Sequence, residues 1–383
     1  MGKTRIRLFM TAILMAVSLL STVFMLSPVS RAFAASHRFV AGHVYVLNNP
    51  TGPNSISAFN RAANGALTFV GTTAIGGQGS GAPLGSQGSL IRSPDGSRLF
   101  AVDAGSNQIS VIAVDFQGNL TAVSVSSSGG FDPVSLTSTD NRLYVVNAGD
   151  SSHAANVTGF QVGTAGTLQP IAGSTQPLSS VNPAPAQVQA DPSGDTLIVT
   201  EKSTNLIDSY HIRPNGSLGT PTFTPSTGTE PFGFAFNPVA SSQFIVSDAF
   251  GGATNAGALT SYQLHNGKVK LEDGPVADHQ TAPCWVAITG NGRFAYTANA
   301  GSNSISGYSI GQNGTLTLLT MASTGTGSGL NEIVLTSDSS SLYALDTGTA
   351  TLSAFRVQQK GSLMSVQLSN VTLSSSITGL AAD

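Results

Sequence analysis

The chain has 383 residues, 40% of them hydrophobic and only 9% charged, with 43 glycines, one cysteine and a net charge of −3. So sparse and slightly acidic a charge set argues against nucleic-acid binding, which needs clustered Lys and Arg. A lone Cys284 excludes an intrachain disulfide or a cysteine-built zinc site, and a chain this long buries a large core without either.

The first segment reads as an export signal. Lys3, Arg5 and Arg7 precede an apolar run, Leu8 to Leu26, and Ala32-Phe33-Ala34 supplies a small-residue cleavage site. The expectation is a signal peptide over residues 1–34, a single domain over 35–383 and a secreted protein. The alternative is an uncleaved N-terminal anchor, because the run is just long enough to span a bilayer. Cleavage removes four of the 16 basic residues and none of the 19 acidic ones, which leaves a net charge of −7.

Beyond this segment one phrase recurs about every fifty residues, the period of a four-stranded propeller blade. Each copy begins with a short run of small residues ending in a turn, as in SLIRSPDG at Ser89–Gly96, PFGFAFNP at Pro231–Pro238 and CWVAITGNG at Cys284–Gly292. Pro fixes φ in such turns and Gly accepts φ > 0. A second strand follows: Val44–Leu47, Leu99–Val102, Leu143–Val146, Leu197–Thr200, Phe244–Ser247, Ala295–Ala298 and Leu342–Leu345. The third alternates with period two, as in Ile305-Ser306-Gly307-Tyr308. The fourth follows an N-G or G-x-L turn, as at Asn64-Gly65, Asn215-Gly216 and Asn313-Gly314. The sequons at Asn119, Asn156, Asn215, Asn313 and Asn370 largely coincide with turn positions of this kind.

Tyr45, Phe100, Tyr144, Ile198, Ile245, Tyr296 and Tyr343 mark seven second strands, hence seven blades. The expected fold is all-β: a seven-bladed β-propeller of four-stranded blades. The first strong element is a second strand (His43–Leu47) and the last resembles a first strand (Thr378–Ala382). The C-terminal strand should therefore join the N-terminal blade and close the ring, removing open sheet edges.

These repeats resemble the YVTN-type repeats of the lactonase family of seven-bladed propellers, which is similar to 6-phosphogluconolactonases and 3-carboxymuconate cyclases. The resemblance covers nearly all of residues 40–383. It implies that the loops before the first strands and between the second and third strands gather on one face, where ligands bind, with the SPDG-type turns on the other. It also implies hydrolysis or cycloisomerisation of a small lactone without a redox cofactor. The chain departs from the phosphosugar-acting members, because no His or Arg stands at Asp132-Pro133, Thr229-Glu230-Pro231 or Ala282-Pro283. Three long stretches, Gly71–Gly88, Gly173–Pro185 and Gly274–Pro283, are expected to rim the site face.

Charged or bulky residues that break the pattern near the first strands are the site candidates. Glu332 and Glu230 are the candidate acid or base, the alternative being solvated carboxylates at a channel mouth. Asp132, Gln187, Glu201, Lys202 and Trp285 are candidate substrate-binding residues. Glu201-Lys202 reads as a surface pair or a clamp, and Trp285 as a stacking platform or a packing residue. Each second strand ends on a polar residue (Asn48, Asp103, Asn147, Glu201, Asp248, Asn299, Asp346), which reads as a turn cap or as a ring of acceptors around a funnel. His153 and His279, with Asp150 and Asp278, are too few and too scattered for a metal site, so none is expected. The partner is a small lactone or an extracellular molecule bound by a monomer. No nucleic acid is expected, and no membrane beyond the export signal. A non-catalytic binding or scaffold propeller is the competing reading.

Overall fold

The computed structural model describes residues 40–323, 329–368 and 373–383; residues 1–34, read above as a signal, and Asn370 lie outside them. Among the described residues no helix is long and apolar enough to cross a membrane.

Seven antiparallel sheets form, six with their strands in sequential order and the first with the C-terminal strand on its inner side, and the third carries an extra two-residue strand at Gln176–Pro177. The second strands are where the apolar runs fall. Leu197, Ile198 and Val199, for example, are all fully buried, because these strands are covered on both faces by the adjoining blades. The first strands are innermost: Leu90–Arg92, Pro133–Thr139, Pro185–Ala190, Pro231–Phe236, Pro283–Ile288, Leu330–Leu335 and Thr378–Ala382. Successive inner strands contact one another around a closed ring. Thr378–Ala382 pairs with Val40–Leu47, matching Tyr45 with Ala381, so the ring closes as the repeats imply.

Two devices repeat around the ring. Where the second-strand anchor is Tyr, its hydroxyl donates to the carbonyl of a left-handed glycine in the next blade's outer hairpin. The pairs are Tyr45 to Gly118 (3.2 Å), Tyr144 to Gly216 (3.0 Å), Tyr296 to Gly361 (2.9 Å) and Tyr343 to Gly65 (2.8 Å). Ile198 has no hydroxyl, and the corresponding carbonyl of Gly267 is met by Ser209 instead. An open groove between the fourth and fifth blades lies there, lined by Ser209, His211, Gly267 and Lys268.

The second device is the polar residue ending each second strand. These residues are buried, and most bond across to the third strand or the turn leading into it. Asn48 pairs with Ser57, Asp103 with Ser110, Asn147 with Asn156, Asp248 with Thr260 and Asn299 with Ser306. Asp346 caps a turn N–H, that of Thr349 (3.1 Å). The positions form internal stitches, not a funnel of acceptors.

The long stretches differ from expectation. Leu67–Gly79 is an outer strand that absorbs the first half of Gly71–Gly88, and Lys268–Ala277 absorbs the start of Gly274–Pro283. Thr and small residues alternating with Ile75 suit a pleated outer strand as well as a loop, and the sequence pattern does not separate the two.

Candidate functional site

The remainder of the first stretch, Leu84–Gly88, does not rim the loop face. It drops into the central channel, and the inner strands grip it from several sides. The Gln87 N–H donates to Ala186 O (2.9 Å), and the Ser135 hydroxyl donates to Gln87 O (2.6 Å). The Ser86 hydroxyl donates to Val134 O (2.8 Å), and Gly88 O accepts from the Leu136 N–H (2.9 Å). On the far side the Gln87 side chain acts as a strand would: Nε2 donates to Val286 O (2.8 Å) and Oε1 accepts from the Val286 N–H (2.9 Å). Inner-strand edges facing a channel carry backbone groups that must find partners, and this segment supplies several.

The candidates sort around this plug. Trp285 is buried; its indole N–H donates to Ser86 O (2.8 Å) and its ring meets Phe232 edge-on at 5.3 Å. Lys202 donates to Gly85 O (2.6 Å) and lies 4.7 Å from the centre of the Phe232 ring. Burial lowers its pKa, which Cys284 and Glu230 partly counter. Lys202 makes no ion pair with Glu201, which is fully buried and accepts from the Ser179 N–H (2.8 Å) and from the Ser179 and Thr204 hydroxyls. Burial also pushes the Cys284 thiol up to about 12, so it stays protonated, donating to Ala282 O.

Asp132 and Glu230 share one backbone position: both precede an inner-strand Pro with φ near +55°, as do Ala184 and Ala282. Their N–H groups donate to Asn107 and Asn205 Oδ1 of the preceding blade (2.8 and 2.7 Å), which holds this uncommon conformation in place. The Glu230 carboxylate turns outward onto the Gly251 N–H (2.6 Å). Burial raises the Asp132 pKa, and nearby Asp150 adds to it. His153 stands beside it on the loop face, stacked on Phe131 and held by Asp150 at 2.8 Å. His279 is exposed. No group of three or more metal-ligating side chains occurs among the described residues.

Glu332 and Gln187 face the channel interior at one level, each two residues into its inner strand. Gln187 Oε1 accepts from the Phe234 N–H of the next blade (2.7 Å). The Glu332 carboxyl is fully buried and has one long partner, the Gly88 N–H at 3.4 Å. Burial therefore holds its pKa well above the usual carboxylate range and favours the neutral acid. The structure does not bring Glu332 and Glu230 together: one faces inward against the plug, the other outward on the loop face.

Below the plug the channel continues as a cavity of about 340 Å³ open toward the turn face. Glu332, Gln187, Gln87 and Gly88 line it, with Ile91, Leu136, Val188, Ile333 and Leu380 as apolar wall, and Arg92, Thr137 and Gln189 among its polar residues. Sequence reasoning does not single out Arg92, Gln189 or Gln87. Gln87 and Gln189 are uncharged and break no repeat, and Arg92 sits at the strand end away from the expected site face. One usable signal exists: Gly233 stands where the neighbouring blades carry Gln187 and Trp285.

The family described as Lactonase, 7-bladed beta-propeller matches residues 89–249. Among solved structures, a putative 6-phosphogluconolactonase from Bacteroides fragilis is similar, with a TM-score of 0.68 at 19% identity over 89% of this chain and 98% of that one. A periplasmic gluconolactonase from Pseudomonas aeruginosa has a TM-score of 0.69 at 17% identity, over 89% and 99%. A functionally unknown protein from Desulfotomaculum acetoxidans gives 0.69 at 15%, over 89% and 98%. The comparison with curated proteins found no match. The chain is thus a seven-bladed propeller, as the repeats imply, and its residues 89–249 match the lactonase propeller family.

Proposed function

We propose that this lactonase-type propeller is an exported, monomeric, cofactor-free enzyme that opens a small lactone by adding water, with Glu332 as its acid. One observation carries the reading: a fully buried carboxyl, its pKa raised by that burial, at the inner end of a small-molecule-sized channel cavity. The family match and the resemblance to a gluconolactonase support the substrate class.

A neutral carboxylic acid in a dry site donates a hydrogen bond to a carbonyl oxygen, where charge accumulates as water attacks. In the step envisaged, water adds to the lactone carbonyl carbon and the ring C–O bond breaks. Glu332 gives its proton to the departing ring oxygen and recovers one from the added water, leaving a hydroxy acid. Burial, which makes the acid neutral, is the condition for this role.

The test is a pH-indicator assay over sugar lactones, muconolactones and acyl-homoserine lactones. Turnover above a heat-killed control, abolished in Glu332→Leu and reduced at least tenfold in Glu332→Gln, is the expected result. Full activity in both variants removes Glu332 from the mechanism. Silence across the panel favours the second reading, a binding or scaffold propeller without turnover. The plug supports that reading, because it fills the loop-face half of the channel with the chain's own backbone.

A further inference from the structure

The loop-face and turn-face halves of the channel are different chemical spaces. The loop-face half is filled: Ser86 is wholly buried, and Trp285, Lys202 and Val286 each spend a hydrogen bond on the plug. A ligand entering there would have to displace contacts from several blades at once. The turn-face half is open, and two of its long polar side chains each carry an atom without a hydrogen-bond partner.

Gln189 lines this cavity and its Oε1 has no hydrogen-bond partner. Arg92 lines it too, and its Nε is equally without a partner. The single ion pair of Arg92, to Asp383 Oδ2, is long at 3.6 Å. A buried acceptor and a buried guanidinium N–H left unpaired each cost folding free energy, so their retention calls for an explanation. Both side chains line the cavity wall. Together with the Glu332 hydroxyl they make a donor, an acceptor and a cation around an apolar wall.

We propose that the turn-face half of the channel is a binding site for a small hydroxylated carboxylic acid, entering from the turn face, with Arg92 taking its carboxylate and Gln189 a hydroxyl. The site deepens the lactonase-like reading and rests on it for the class, since a hydroxy acid is what a lactone becomes on opening. A guanidinium suits a planar carboxylate, which can accept from two of its N–H groups. A volume of about 340 Å³ sits at the small-molecule end of the range for ligand sites. Negative charge at the mouth is met by Arg92, while burial holds Glu332 at the inner end toward its neutral form.

Binding without turnover tests this separately from catalysis. The probes are gluconate and the matched polyol sorbitol, titrated calorimetrically into the intact protein. Gluconate should bind, and sorbitol at least tenfold more weakly. Arg92→Gln should remove the preference for the carboxylate. Gln189→Leu should weaken gluconate about tenfold, the value of one lost hydrogen bond in a buried site. Ser138→Trp, which places a bulky ring in the cavity wall, should abolish binding. Ser203→Trp, on an exposed loop of the opposite face, should leave it unchanged. Circular dichroism melts of each variant show whether it is folded. Gluconate binding that survives folded Ser138→Trp, is lost in Ser203→Trp, or matches that of sorbitol overturns the proposal, as does no gluconate binding by the wild type at millimolar concentration. Binding in the expected pattern without hydrolysis of any lactone leaves the site standing and removes the enzymatic reading.

Discussion

The side-chain amide of Gln87 occupies the space that Gly233 leaves empty on the inner strand of the fifth blade. At the corresponding position Gln187 offers its own side chain to the next blade's Phe234 N–H, and Ser135 does the same for Val188. Gly233 has none to offer, and Gln87, coming across the channel, serves Val286 in its place. A Cβ on Gly233 would run into Gln87 Oε1 and stand 2.5 Å from Cys284 O.

Gly233→Ala is therefore expected to destabilise by about 2 kcal/mol through overpacking. Gln87→Ala should cost a similar amount, about 2 kcal/mol, by orphaning both backbone groups of Val286. The double variant should lose less than the sum, because the added methyl meets no amide once the Gln87 side chain is gone. Chemical denaturation of the four proteins checks the cycle, and strict additivity would separate the two residues.

Stability should fall as pH rises. Burial pushes Asp103 up to about 6 and Asp248 up to about 7; for Asp208, burial and then Glu201 push it up to about 9. A carboxyl whose folded pKa exceeds the ordinary 3.8 binds more protons folded than unfolded. Its penalty is absent at pH 3 to 4 and grows until pH passes the folded value. Asp95, held down to about 2 chiefly by the Ser93 hydroxyl, acts oppositely, though weakly because it is exposed, and contributes an acid limb. The melting temperature should peak in mild acid and decline to pH 9.

Asp248→Asn isolates one part of that slope. Asn48, Asn147 and Asn299 show that the fold accepts the amide at this position. Each tenfold difference in proton affinity between the folded and unfolded carboxyl is worth about 1.4 kcal/mol, so the variant should gain a few kcal/mol over wild type at pH 8 and little at pH 4. Melting curves that stay parallel from pH 4 to 9 would contradict it.

Each tyrosine stitch has a built-in control in Phe100, which fills the same place without a hydroxyl. Tyr296→Phe should leave the fold intact and cost about 1 kcal/mol, the value of the bond to Gly361. Urea unfolding reads the loss directly.

Trp285, the only tryptophan, reports on the plug. Its emission should be blue-shifted and inaccessible to iodide in the wild type, since its ring is buried and its N–H is bonded to Ser86 O. Gln87→Ala should raise quenching severalfold before global unfolding. Equal quenching in both proteins would mean that the segment stays seated without its side-chain anchor.

The ring and its closure were legible because one physical problem, covering both faces of a second strand, is solved seven times with the same residues. The interior of the channel is solved once. Leu84–Gly88 is written in Gly, Ser and Gln, the vocabulary of an ordinary connection, and nothing local marks it as buried. Its partners lie about 50, 100 and 200 positions away, at Ser135, Ala186 and Val286. Glu332 was legible as an anomaly because a carboxylate in an apolar strand is costly. Lys202 stands out in the sequence through its neighbour Glu201, although its contacts are with Gly85 and Phe232.

The five-residue strand that completes the first blade joins residues some 340 positions apart. For a nascent chain this sets a timetable. Six blades can assemble from local hairpins, but the seventh waits for the last residues to arrive, with Val40–Leu47 exposing a bare edge meanwhile. The same seam governs how the molecule comes apart: detaching Thr378–Ala382 opens the ring without breaking any hairpin. The lifetime of the folded protein is then set at one short strand, and a crosslink from that strand to Val40–Leu47 would slow unfolding far more than it speeds folding.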